Sequence, residues 1–291
     1  MTTTTAKSAP VRVALRPIIR PEIPRTPLAR LRWAIADTWT ITQRDLTHWV
    51  REPGRILAGL LYPCVMVLLF GYVFGSSMTV EGGGDYRQFL MPGMFAMTMM
   101  MGIGETMSAI NNDASKGVTD RFRSMPMAPS AVVSGRSVAD IMNSALDLGF
   151  LLLCAMIVGW RSNGSVTETA AAIGLLLLLR LAALWVGIYI GLVVRSPETV
   201  ASLYGLLFPL TMVSNTFASP SAMPDWLGFI AEWNPLSSTV TATRELFGNP
   251  MGGGGGSWIV DNAALMAVVW PVLLIAVFFP LSVRQYRRLS R

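Results

Sequence analysis

Histidine is almost missing from this sequence: His48 is the only one in 291 residues. One imidazole with no acid or second ligand near it offers neither a metal cluster nor a general base. Cysteine is nearly as scarce. Cys64 and Cys154 both fall inside apolar runs, which marks them as packing residues rather than a disulfide or metal pair. No Walker sequence occurs, and the run Gly252–Gly256 follows no strand and opens no phosphate-binding helix. No serine or cysteine nucleophile has a histidine partner either, so the chain shows no catalytic constellation and no cofactor site of its own. Charge is short as well: 14% of residues carry it, against about 25% in a soluble domain.

What stands in place of charge is apolar, with 52% hydrophobic residues and a mean hydropathy of +0.50. That composition belongs to an integral membrane protein, and runs of 18 or more apolar residues are spanning helices. Six such runs are expected, at about Ile56–Ser76, Phe89–Ile110, Val138–Trp160, Ala170–Val194, Val200–Phe217 and Ile259–Val283. The fold class is therefore all-α, a six-helix transmembrane domain over residues 55–283. The first apolar run begins only after Arg55, so the N-terminus is not a cleavable signal peptide. A net charge of +6 in a soluble chain would suggest nucleic acid. Here the basic residues flank the spans, and the lipid bilayer with its anionic headgroups is the partner they suit.

Lys and Arg are unevenly shared. Of the 23, ten precede residue 56, four lie in 111–136, Arg195 stands alone and four follow from Arg284. Arg87, Arg161 and Arg244 fall on the other face, and Arg180 lies inside a span. By the positive-inside bias both termini are cytoplasmic. Residues 1–27, with prolines at 10, 17, 21, 24 and 27, form a disordered tail, and 284–291 a short basic one. Between tail and first span, Leu28, Leu31, Ile35, Trp39, Leu46 and Trp49 recur at helical steps, with Thr42 in the gap. Arg32, Asp37, Arg44, Asp45 and Arg51 take the other faces, so 28–54 is an amphipathic helix suited to the membrane interface.

Two loops have structure of their own. In the inner one, 111–136, Asp113 or Ser115 caps a short helix, Pro126 and Pro129 break it, and Ser134 or Ser137 caps the next. In the outer one, 218–257, Pro224 suits a first turn, Trp226, Phe229 and Trp233 share a face, and Asn234-Pro235 breaks the helix before a second. The result is an extracellular helical hairpin before the last span.

Glu105, Asp147 and Arg180 are ionisable groups inside spans, which are costly and usually paired or facing a cavity. Asp147 is 13 residues before Trp160 and Arg180 is 13 after Thr167. At about 1.5 Å per residue both sit at one depth on antiparallel neighbours, placed for a salt bridge that Glu105 can join. An ion pair fixing the packing, a polar lining of a substrate route and a proton relay are the three roles open to them.

These features together resemble the permeases of ABC-2 type transporters, in the daunorubicin-resistance class of drug and lipid exporters. The matching stretches are Lys116-Gly117-Val118-Thr119-Asp120-Arg121-Phe122-Arg123-Ser124-Met125-Pro126-Met127, then Ser219-Pro220 with Met223-Pro224 and Trp226-Leu227, then Asn234-Pro235-Leu236 followed by Arg244. The resemblance implies that two permease chains, identical or paralogous, form the pathway and that two copies of a separate ABC ATPase, carrying ATP and Mg²⁺, bind the cytoplasmic side of a bacterial cell membrane. Lys116, Asp120, Arg121, Phe122, Arg123, Met125 and Pro126 then form the ATPase-coupling segment, with Arg121 and Arg123 pairing to ATPase carboxylates and Phe122 as the anchor. Setting topology is the other role open to this basic loop. The resemblance further implies that a lipophilic drug, antibiotic or lipid passes between the copies along spans one, two and five. Met94, Met97 and Met101, with Met99 and Met100, offer either an adaptable lining or plain packing, and Asn215 with Phe217 is an expected exit gate. The alternative is a proton-coupled secondary transporter working through Asp147, Arg180 and Glu105; the absence of an internal repeat weighs against it.

Overall fold

The computed structural model describes residues 36, 39, 43, 53–74, 83–115, 129–194, 196–250 and 257–288. Among these there is no β-strand. The helices are α1 Pro53–Leu69, prolonged by a π-turn Phe70–Phe74; α2 Tyr86–Ser115; α3 Pro129–Val158; α4 Val166–Val193; and α5 Pro197–Met212. After a 3₁₀ turn at Pro220–Ala222 come α6 Asp225–Trp233, α7 Pro235–Leu246, the short α8 Trp258–Asp261 and α9 Ala263–Arg288. Among the described residues, three stretches are long and apolar enough to cross a membrane: Ser137–Val158, Val166–Val193 and Ala263–Tyr286.

The bundle is built on α2 against α4. Every residue from Met91 to Met97 on α2 is buried. Gly187 and Gly191, one turn apart on α4, let α2 approach until a Cβ on either would touch the carbonyls of Ile103 and Met107. Small residues four apart are the usual way for two helices to pack closely where no water drives them together. On its other side α4 holds α9 through Leu184, Trp185, Ile188 and Leu192, with Trp185 edge-on to Phe279 at 4.7 Å. The outward faces of α3 and α9 expose Leu146, Phe150, Leu153 and Ile157, and Leu265, Val272 and Leu273. Such faces cost about 25 cal/mol per Å² in water and nothing comparable in hydrocarbon.

The hairpin helices have opposite fates. α6 exposes Trp226, Phe229, Ile230 and Trp233, whereas α7 is buried from Leu236 to Arg244 among α2, α4 and α9. The break between them comes from Asn234, whose carboxamide oxygen accepts from the Leu236 amide while Pro235 opens α7.

Several boundaries differ from the sequence expectation. Asp113 lies within the last turn of α2 instead of capping a new helix, and Pro129 is the first residue of α3, so Ser134 and Ser137 are interior to it. Proline needs no amide partner in a first turn, which is why it starts a helix here as readily as it ends one. The fifth run, expected to reach Phe217, leaves helical geometry after Met212. The last run breaks at Asn262, whose side-chain amide donates to the Trp258 carbonyl, and α9 then continues through the basic tail to Arg288.

Candidate functional site

Arg180, in the middle of α4, is 3% exposed, so its charge must be met by neighbours on other helices. Its Nη2 forms an ion pair with Asp140 Oδ2 at 2.6 Å. Nε donates to Ser144 Oγ at 2.8 Å, and Nη2 also donates to Thr106 Oγ1 at 3.3 Å. Nη1 lies against Gly102, where a Cβ would overlap it. α2, α3 and α4 thus each contribute a group to one guanidinium.

The partner differs from the one the sequence suggested. Arg180 pairs with Asp140, not Asp147. Counting equal steps from the connecting loop assumes that α3 and α4 leave it level, whereas packing seats the guanidinium beside Ser144, one turn further down α3. Sequence reasoning passed over Asp140 because it lies at the inner edge of its span. Its signal was present: Asp140, Ser144 and Asp147 are spaced four and three apart, one polar stripe on an apolar helix.

Asp147 and Glu105 do meet Arg180, but across a space. A cavity of about 30 Å³ is lined by Arg180, by Thr98, Met99, Gly102 and Glu105 of α2, and by Ser144, Asp147 and Leu151 of α3. Pro63 and Cys64 of α1 close it. That volume holds one or two molecules the size of water. Asp147 is half-buried and Glu105 exposed, so the cavity's polar wall continues to the surface of the bundle. Carboxylates, a guanidinium and hydroxyls held by rigid helices can bind the polar group of a small molecule or relay hydrogen bonds along the wall.

A second buried arginine organises the other end. Arg244 of α7 is 1% exposed, and its Nε donates to the Phe89 carbonyl at 2.8 Å. Nη2 donates to the Asn215 and Thr216 carbonyls at 2.8 and 3.1 Å, and the guanidinium carbon lies 3.6 Å from the centre of the Phe89 ring. Backbone dipoles and a π face meet this charge. They also explain the early end of α5: the carbonyls just past it are turned to Arg244.

The expected exit-gate residues fall in this knot. The Asn215 backbone amide donates to Ser237 Oγ at 3.1 Å, and its Nδ2 donates to Thr241 Oγ1 at 2.6 Å. The Phe217 ring packs on Phe70 at 5.0 Å and its carbonyl accepts from the Tyr86 hydroxyl. Both residues join helices in this structure. Met94 and Met97, 1% and 3% exposed, are core residues and not an open lining; Met101 is half-buried, and Met99 is the methionine that reaches the cavity. Trp39 is helical and 52% exposed. Leu31, Ile35, Leu46 and Trp49, and the coupling residues Lys116, Asp120, Arg121, Phe122, Arg123, Met125 and Pro126, lie outside the described residues.

Comparison with known proteins places these features in a family context. The family model described as "ABC-2 type transporter" matches residues 36–247. The chain is 30% identical over 255 residues to the daunorubicin resistance ABC transporter permease protein DrrB1 of Streptomyces coeruleorubidus, covering 87% of each. It is also 22% identical to a protein of Porphyra purpurea described as transport permease ycf38, over 82% of each chain. The Cyanophora paradoxa protein of the same description is 23% identical, over 79% of this chain and 78% of that one.

Proposed function

Since this chain belongs to the ABC-2 type transporter family, as a membrane permease, we propose that it moves a lipophilic drug, antibiotic or lipid outward, driven by ATP hydrolysis on a separate ATPase subunit. Permeases of this family work with an ABC ATPase and a second permease subunit. Two copies of each would form the working unit here, in a bacterial cell membrane with both termini of the permease in the cytoplasm. Six spans per permease, with the amphipathic segment 28–54 along the inner surface, would make up that unit.

The observation that carries this reading is the cavity at Arg180. A path for a lipophilic molecule needs mostly apolar helices with a few fixed polar groups, and the mixed lining that α1 to α4 give the cavity supports this reading. Glu105 supports a pathway beside α2, because an exposed carboxylate at mid-span needs water, substrate or a second chain against it. Arg121, Phe122 and Arg123 would couple this path to the ATPase, which nothing else in a chain without a nucleotide motif can power.

Co-purification tests the assembly. Tagged wild-type chain should retain an ABC ATPase, and the Arg121→Glu/Arg123→Glu variant should lose it. An ATPase retained equally by both would remove the coupling role, and none retained by wild type would remove the ABC reading. Proton coupling through Asp147, Arg180 and Glu105 is the second reading, favoured by their meeting in one cavity. Substrate movement in vesicles decides between them: it should require ATP and continue when a protonophore collapses the pH gradient.

A further inference from the structure

The chain has two cysteines, 90 residues apart in sequence, and the fold brings them together. Cys154 Sγ on α3 donates to Cys64 Sγ on α1 across 3.0 Å. Neither thiol is fully buried, and Cys64 lines the cavity described above. Packing alone asks only that each cysteine fill apolar space; it does not require the two sulfurs to meet. A metal role is not supported, because no group of three His, Cys, Asp or Glu able to hold an ion occurs among the described residues.

We propose that Cys64 and Cys154 are an oxidant-sensitive dithiol that hydrogen peroxide, entering the cavity, closes into a disulfide tying α1 to α3. The cavity's volume of about 30 Å³ leaves room beside Cys64 for a molecule slightly larger than water, the size of hydrogen peroxide. In the first step one thiol gives up its proton and its thiolate sulfur attacks the peroxide O–O bond. An S–O bond forms, and the departing hydroxide takes up the proton as water. In the second step the other thiol attacks the sulfenic sulfur. The S–S bond forms as the S–O bond breaks, and the oxygen leaves as water with the second thiol's proton. Two thiols are oxidised by one electron each, and one peroxide is reduced to two waters. The sulfurs need approach by only about 1 Å to reach bonding distance.

The proposal does not depend on what the protein carries. Full-length chain in lipid nanodiscs is exposed to hydrogen peroxide, then unfolded and counted for free thiols with a maleimide, with intact mass read in parallel. Wild type should lose both thiols and about 2 Da within a single chain, and dithiothreitol should restore both. Cys64→Ser and Cys154→Ser should each keep the remaining thiol or gain oxygen on it, with no link. Wild type that retains both thiols, gains oxygen without losing them as a pair, or links two chains together overturns the proposal. Because the readout is covalent, loss of transport by either variant leaves the test intact.

Discussion

Arg180 shows how one buried side chain gathers polar groups from several helices. It is held on three sides by Asp140, Ser144 and Thr106, and on the fourth Gly102 is small enough to let it lie flat. Removing one member of a buried pair leaves a charge without compensation, which is worse than never having had the pair. Asp140→Asn should therefore destabilise the chain by about 3 kcal/mol, the low end for a buried pair, since Asp140 is 27% exposed. Asp147→Asn leaves that ion pair intact and should cost clearly less. Thermal unfolding in detergent, compared across the two variants and the Asp140→Asn/Arg180→Gln double variant, checks this. The double variant should recover part of the loss, because the stranded charge is gone. If Asp147→Asn is the more damaging, Arg180 is not paired as the structure has it.

At the scale of an element, α5 shows two different ways in which a helix end is fixed. Ser196 caps it by accepting from the Thr199 amide, and the same hydroxyl donates to the Glu198 carboxylate in the first turn. That hydroxyl, with the backbone amide of Glu198, holds the carboxyl below its ordinary range. A folded pKa lower than the unfolded one means that Glu198 contributes stability above the ordinary glutamate value of about 4.3. The contribution disappears as pH falls through the lower folded value. Amide-exchange protection at Thr199 should accordingly hold steady from neutral pH down to about pH 4 and decline below it. Glu198→Gln should lack the decline. Unchanged protection of wild type at the lowest pH would show that the carboxylate is not part of the cap. The far end of α5 combines a local bond with distant ones: Ser214 Oγ donates back to the Thr211 carbonyl, while Asn234 and Arg244, from other helices, take the Val213, Asn215 and Thr216 carbonyls that follow.

For the molecule as a whole, the two buried arginines divide the work. Arg180 ties α2, α3 and α4 at the middle of α4, while Arg244 ties the start of α2, the chain after α5 and α7. The second knot is what lets α7 sink among the spanning helices while α6 keeps its aromatic face outside. Arg244→Lys keeps the charge but not the fork that reaches three carbonyls from one planar group. It should lower stability by roughly 2 kcal/mol, with at least one carbonyl left unmet in the interior. Proteolysis should then cut within 213–250 before it cuts elsewhere, because that segment would detach first. Equal susceptibility of variant and wild type would show that α7 is held by packing alone.

What the sequence determined by itself is the class of molecule and the outline of its path. Long apolar runs with few charges have one physical solution, helices in a bilayer, and the basic flanks argue an orientation without any contact being known. Local signals also sufficed for the Asn234-Pro235 break, since a cap and a proline act on their own neighbours. The tertiary structure decided everything that depends on register between helices. Which carboxylate meets Arg180, Asp140 or Asp147, is a choice between positions about two helical turns apart, roughly 10.5 Å, and no count along a single helix fixes that. The burial of α7, the end of α5 and the meeting of Cys64 with Cys154 are likewise set by groups far away in the chain, each answering a polar atom or a gap that only the packed bundle creates.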